Sequence, residues 1–156
     1  MPGTDIRNRD DIFTLVETFY RRAFADPDLG PIFVDIVKLD LDEHLPVMCD
    51  FWESVLMRAG TYHRNALEVH RTVHAKAPLD SALFARWVEI WTATVDDLHT
   101  GPRAEQAKLQ ASRVAFTLNR RLTGTDDEEL LPRPDRAVLA AHRNTVVAGR
   151  ASLPLA

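Results

Sequence analysis

The stretch Asp40-Leu41-Asp42-Glu43-His44-Leu45-Pro46-Val47-Met48-Cys49-Asp50-Phe51-Trp52 decides the fold of this chain. Asp40 followed three residues later by Glu43 is a capping-box-like start of a helix. From there Leu41, His44, Leu45, Met48, Phe51, Trp52 and Val55 recur at helical spacing and form one stripe, which ends before Gly60. Pro46 falls early in that helix, where a proline costs least. One imidazole, His44, is set into the stripe on the face shared by Leu41 and Met48. Cys49 lies about 140° around the helix from His44 and is expected to be structural.

The same period runs outward in both directions, with no repeats and no strand-like alternation of useful length. Upstream, Ile12, Leu15, Val16, Phe19, Tyr20 and Ala23 form a stripe opened by Asp10/Asp11 as caps and closed near Asp26-Pro27. Leu29-Gly30-Pro31 is a turn, and Ile32 to Val37 is short and poorly defined. Downstream, residues 60–79 look irregular, with two helical turns around Leu67–Val73 and a stop at Pro78. Asp80 then caps a long helix carrying Leu83, Phe84, Trp87, Val88, Trp91, Val95 and Leu98, broken by Gly101-Pro102. A last core helix carries Ala107, Ala111, Val114, Ala115, Leu118 and Leu122, with Gly124 placed as its C-terminal stop. Residues 125–134 are acidic and then proline-broken, as in a linker, and residues 135–149 are alanine-rich and weakly amphipathic. The expectation is an all-α domain over 1–124 and a C-terminal extension over 125–156, a linker plus a short helix.

The 156 residues suffice for one domain with a sizeable core. A net charge of −4 gives no electrostatic reason to expect nucleic acid or anionic lipid. No apolar run approaches the roughly 18 residues that cross a bilayer. The opening residues lack the apolar core of a signal peptide, so a cytoplasmic location is expected. A single cysteine excludes an internal disulfide and any multi-cysteine metal site.

Four polar aromatic residues stand in otherwise apolar helical stripes: Tyr20, His44, His70 and Trp87. A core built only for stability seldom spends four such groups, because each buried N–H, O–H or ring nitrogen needs a partner. Taken singly, each has an ordinary explanation. Tyr20 fits a core tyrosine with its hydroxyl near the surface, and His44 a core histidine bonded to a backbone carbonyl. Trp87 and Trp91, spaced i, i+4, fit packing. His70 fits a partly exposed histidine near a loop, and with His74 it makes a weak zinc pair that lacks the glutamate of zinc proteases. One haem would use all four at once, with a histidine on its iron and polar groups over the opposite face.

The order of these residues and their neighbours closely resembles the group III truncated haemoglobins. The matching stretches are Phe19-Tyr20, Asp28-Leu29-Gly30-Pro31-Ile32-Phe33, His44-Leu45-Pro46-x-Met48 with Phe51-Trp52, Asn65-Ala66-Leu67-x-x-His70, and Leu83-Phe84-x-x-Trp87. The resemblance runs from about Asp11 to Leu122, and the double-glycine motifs of other truncated globins are absent, as in group III. The resemblance implies a truncated globin fold, a helical sandwich of helices B and E against G and H around haem b. It implies His70 as the iron ligand, with His74 as the competing histidine. Tyr20, His44 and Trp87 would face the diatomic ligand, with Met48 and Phe51 lining the haem pocket. Tyr62, His63, Arg64 and Arg71 lie near the segment that would meet the haem propionates. The function so implied is tight binding of dioxygen, with carbon monoxide and nitric oxide as further ligands, at a five-coordinate ferrous iron. The alternatives are a peroxidase-like or nitric-oxide-dioxygenating enzyme served by an external reductase, and a cofactor-free helical interaction domain.

Overall fold

The computed structural model describes residues 3–58, 60, 66–131, 135–136 and 141. Its main elements are five α-helices: α1 (Arg9–Ala25), α2 (Leu41–Met57), α3 (Ala66–Lys76), α4 (Ser81–Leu98) and α5 (Pro102–Thr123). A π-helical turn, Ile32–Ile36, precedes α2, and a 3₁₀ turn, Glu128–Leu130, follows α5. The described residues contain no strand, so the chain is all-α, as its periodicity predicts. None of the described helices is long and apolar enough to cross a membrane.

Local chemistry sets most helix ends. Asp40 Oδ1 accepts from the Asp42 and Glu43 amides, which are otherwise unpaired donors at the start of α2. Asp80 does the same for Leu83 in α4, and Gly124 closes α5 in the left-handed conformation that glycine adopts without strain. Three expectations need correction. The cap of α1 is Asn8, whose side chain accepts from the Asp11 amide, while Asp10 and Asp11 lie in the first turn. The segment of His70 is a regular helix of 11 residues rather than two loose turns. The acidic stretch after Gly124 is docked, not a free linker: Leu130 and Leu131 are buried with Leu79, Phe84, Ala115, Phe116 and Leu118. Arg113 holds Asp135, and the Arg136 guanidinium donates to the carbonyls of Leu131 and Glu129, which ties this stretch down. The rest of the C-terminal extension, and with it most of the expected boundary at 125–156, lies outside the described residues.

Packing divides the interior into two clusters. The larger joins Ile6 to the inner faces of α1, α2 and α4 and the start of α5. The smaller joins α4 and the second half of α5 to Leu130 and Leu131. Leu83 and Trp87 touch both. Helix α1 packs on α2 and α4, α4 packs on α5, and both α2 and α3 lie against α5, with at most marginal contact between α2 and α3 themselves. Among the described residues little bridges α2 and α3, and the space between them, at the seam of the two clusters, is here called the crevice.

Candidate functional site

Helix α2 presents two neighbouring rows. Leu45, Cys49, Trp52 and Leu56 are buried against the rest of the core. Leu41, His44, Met48, Phe51 and Val55 are only half-buried, although four of the five are apolar. Leaving such a row partly in water forgoes about 25 cal/mol for each Å² that could be covered. Helix α3 repeats the pattern, with Leu67, His70, Val73 and His74 half-buried in one row. Two incompletely covered apolar rows, each carrying imidazole, thus flank the crevice.

Tyr20 is the centre of the wall on the α1 side. It is buried, and its hydroxyl lies 2.8 Å from His44 Nε2. Its ring packs edge-on against Phe19, Phe33 and His44, with centroids 5.0, 5.7 and 5.0 Å away, and against Phe24. Burial pushes the Tyr20 phenol well above its ordinary pKa, so it holds its proton throughout the neutral range. Trp87 reaches the same wall through Phe19, at 5.8 Å edge to face. Trp91, one turn further along α4, is stacked on Trp52 at 4.4 Å and gives its indole N–H to the Ala107 carbonyl. No hydrogen bond among the described residues takes the indole N–H of Trp87.

Tyr20 touches His44 directly and Trp87 through Phe19, and Met48 and Phe51 share the half-buried row of α2 with His44. His70 stands apart on α3, and no described contact joins it to that wall. His74 has a different task. Its Nδ1 accepts from the Leu79 amide at 2.8 Å, which closes the chain after α3. A backbone amide can only donate, so the single proton of a neutral His74 ring sits on Nε2. Neither of its nitrogens then offers a lone pair to a metal. Among the described residues, no group of three or more His, Cys, Asp or Glu side chains could hold a metal ion, so the zinc pair gains no third ligand there. Of the residues near the expected propionate segment, Arg71 is exposed on α3, while Tyr62, His63 and Arg64 lie outside the described residues.

Two contributors escaped the sequence pattern. Phe33 packs against Tyr20 and Phe24 from the π-helical turn, where a period of 3.6 does not apply. Asp26, expected only to end α1, is buried. Its carboxylate accepts from the Asp28 and Leu29 amides and pairs with Arg86 at 2.7 Å. Burial alone would raise the Asp26 pKa, but the Arg86 guanidinium and the two amides outweigh it and hold the carboxyl below its ordinary value. This pair locks the turn leading to Phe33 onto the residue preceding Trp87. Gly30 completes the lock: a Cβ there would come within 2.5 Å of the Phe24 carbonyl oxygen, so only glycine lets the turn lie so close to α1. Two surface grooves lie elsewhere, one between α4, α5 and Leu130-Leu131, the other beside Arg22 and Arg86.

Comparison with known proteins supports the same fold. No family model matches the chain. A group 3 truncated haemoglobin of Campylobacter jejuni is 27% identical over 92 residues, 57% of this chain and 70% of that protein. The crystal structure of a group III truncated haemoglobin from Campylobacter jejuni superposes with a TM-score of 0.68 at 23% identity, covering 77% of this chain and 94% of the other. The chain has the truncated globin fold and is similar in sequence to a group 3 truncated haemoglobin.

Proposed function

We propose that this chain is a haem-binding globin that uses His70 to hold the iron and binds dioxygen tightly on the side of Tyr20 and Trp87. The observation that carries this is the pair of half-covered apolar rows on α2 and α3, flanking a crevice whose one wall is aromatic and carries three polar groups. Such half-covered apolar rows would hold a flat apolar cofactor, and the imidazole of His70 would supply the nitrogen that haem iron takes. His74 is committed to the Leu79 amide, which weighs against His74 in that role. Met48 and Phe51 offer apolar surface to the ring, and the relatives named above bear the name haemoglobin.

Haem, when bound, supplies an iron centre that binds diatomic gases. The chain's own part is polarity and access. A ligand that gathers negative charge, as dioxygen does, meets the Trp87 N–H and the Tyr20 O–H as donors held in a dry aromatic wall. Preorganised donors are worth most where water is excluded. One hydrogen bond to a charged acceptor contributes about 1–3 kcal/mol, so two can slow ligand release about 10²–10³-fold. Carbon monoxide develops less charge and gains less. Slow release suits reaction with nitric oxide or peroxide better than transport, and such an enzyme would draw electrons from a separate reductase.

The test is an absorption spectrum of the purified chain, reduced and then exposed to carbon monoxide. The expected result is an intense band near about 400–430 nm that sharpens and shifts with the gas. A chain that gives no such band even after hemin is added is not a haem protein.

A further inference from the structure

The groove between α4 and α5 has an apolar floor of Ala85, Val88, Leu109, Leu130 and Leu131, in a volume of about 350 Å³. Val88 and Leu109 are only half-buried there. The rim is acidic. Glu105 and Glu129 border the groove, and Asp126, Asp127 and Glu128 lead into Glu129. The groove's lysine, Lys108, is already held by Asp96 and Glu105, at 2.7 and 2.8 Å. Such an excess of carboxylates around apolar surface favours a basic, apolar occupant. The chain delivers one to the edge of the groove. Arg113, next to Ser112 of the groove, holds Asp135, and the Arg136 guanidinium donates to the Glu129 and Leu131 carbonyls. Asp135, Arg136 and Ala141 are helical. Residues 137–150 carry Arg143, Arg150 and His142 and no acidic residue. Leu139 and Val146 stand seven apart, the spacing of one helical face, and Arg143 and Arg150 fall within about 40° of Leu139 on it. As a helix, residues 137–150 would reach about 21 Å, against about 11 Å for the groove along residues 105–112 of α5.

We propose that this groove is the docking surface of the chain's own segment 137–150, with Leu139 and Val146 on the apolar floor and Arg143 and Arg150 toward the acidic rim. Asp135 and Arg136 hold the start of the segment, so docking is intramolecular, at an effective concentration in the roughly millimolar range of a short tether. Apolar contacts and screened ion pairs, each weak alone, then suffice to close the groove. A second copy of the chain competes for the surface without that tether. The docked segment braces more than itself. Leu130 and Leu131 bury with Leu79 and Phe84, and Leu67 and Val73 of α3 pack on that cluster. The filled groove therefore backs the helix that carries His70, and it does so independently of the haem reading.

Limited digestion of the full chain with trypsin, which cuts after arginine, reads the docking at Arg143 and Arg150. Both bonds are expected to be cut slowly in the unmodified chain. Leu139→Asp, which charges the segment and leaves the buried clusters untouched, speeds both cuts about tenfold or more, the effect of taking one leucine off an apolar floor. Leu109→Asp, which charges the floor, does the same, and the double variant is cut no faster than either single one. Where Leu109→Asp fails to fold, nitrogen-15 NMR of Leu139→Asp locates the contact instead. The amide signals of Val88 and Leu109 are then expected to move. Unmodified chain cut as fast as Leu139→Asp overturns the proposal. So does faster cutting with the Val88 and Leu109 signals unmoved, because the segment then docks elsewhere. Cutting rates are expected to be independent of protein concentration, with a monomer's mass in sedimentation. Protection that grows with concentration gives the groove to a second copy and likewise overturns the proposal.

Discussion

The two rows of α2 face different worlds, although they lie side by side on one helix. On the buried row, Trp52 stacks on Trp91, whose N–H goes to the Ala107 carbonyl, and Thr94 beside it donates to the Ile90 carbonyl. Each of these polar groups is paid off by backbone, which cannot move without undoing a helix. On the half-buried row, His44 meets the Tyr20 hydroxyl, and Trp87 keeps its N–H off the backbone. Polar groups satisfied by other side chains can exchange partners, and a binding site needs groups that can do so. Stability is invested in the first row, and recognition in the second.

The most severe way to break that division is to remove the imidazole proposed as the iron ligand on the far side of the crevice. His70→Ala should abolish stable haem retention altogether, measured by titrating hemin into the purified variant and following its absorption band. His74→Ala should keep the band, because its loss frees only the Leu79 amide at the end of α3. The reverse result, with haem lost in His74→Ala alone, would assign the iron to the wrong histidine and dissolve the tautomer argument.

A second comparison uses the two tryptophans one turn apart on α4. Trp91→Ala opens a cavity among fully buried residues and removes the indole hydrogen bond to the Ala107 carbonyl, so it should cost about 3–5 kcal/mol of unfolding free energy. Trp87→Phe keeps an aromatic ring beside Phe19 and removes the N–H with part of the indole surface at a half-buried position, so it should cost less than the Trp91 change, about 1–2 kcal/mol. Its effect should fall instead on ligand release, about tenfold or more faster for dioxygen, by loss of one donor to a charged acceptor. Chemical denaturation and stopped-flow release kinetics on both variants separate the two roles. Equal losses of stability would show Trp87 to be ordinary core.

The residues that could be placed from sequence are those whose roles depend on near neighbours. Asp40, Asp80 and Gly124 act within a turn of where they stand, and the stripes of α1, α2, α4 and α5 follow from a period of 3.6. Asn8 was passed over because three capping residues, Asn8, Asp10 and Asp11, stand within four positions and only geometry chooses among them. Phe33 stood in a matching stretch, but its packing on Tyr20 could not be read because the π-helical turn breaks that period. Asp5, which accepts from the Arg103 and Ala104 amides, caps α5 from the other end of the chain, and no local pattern announces such a contact. Leu130 and Leu131 looked like part of a linker because charge and proline surround them, yet they bury against Phe116 and Leu118. The candidate site divides in the same way. Membership of Tyr20, His44 and Trp87 in one wall could be expected from residue order, while the 2.8 Å contact and the commitment of His74 needed coordinates.

The smallest effect concerns the clamp that joins the two walls without belonging to either row. Asp26 is almost wholly buried, and its partner Arg86 is 38% exposed. Removing the charge with Asp26→Asn leaves the amide contacts partly intact and releases Arg86 to water, so the loss is smaller than for a fully buried pair, about 1–2 kcal/mol. The pH dependence carries the sharper signature. Because the folded pKa of Asp26 lies below its unfolded value, the unfolded chain binds more protons in the acid range. The carboxylate's contribution is therefore complete above the unfolded value, near about 3.9, and disappears as pH falls through the lower folded value. Asp26→Asn should then be less stable than the unmodified chain at pH 7, and the two should converge as the medium is acidified through that window. Thermal melts at matched ionic strength across pH 3–7, a range set by the usual carboxylate pKa of about 4, measure that convergence. A gap that stays constant with pH would mean that the side chain's shape, and not its charge, holds the turn carrying Phe33 against Trp87.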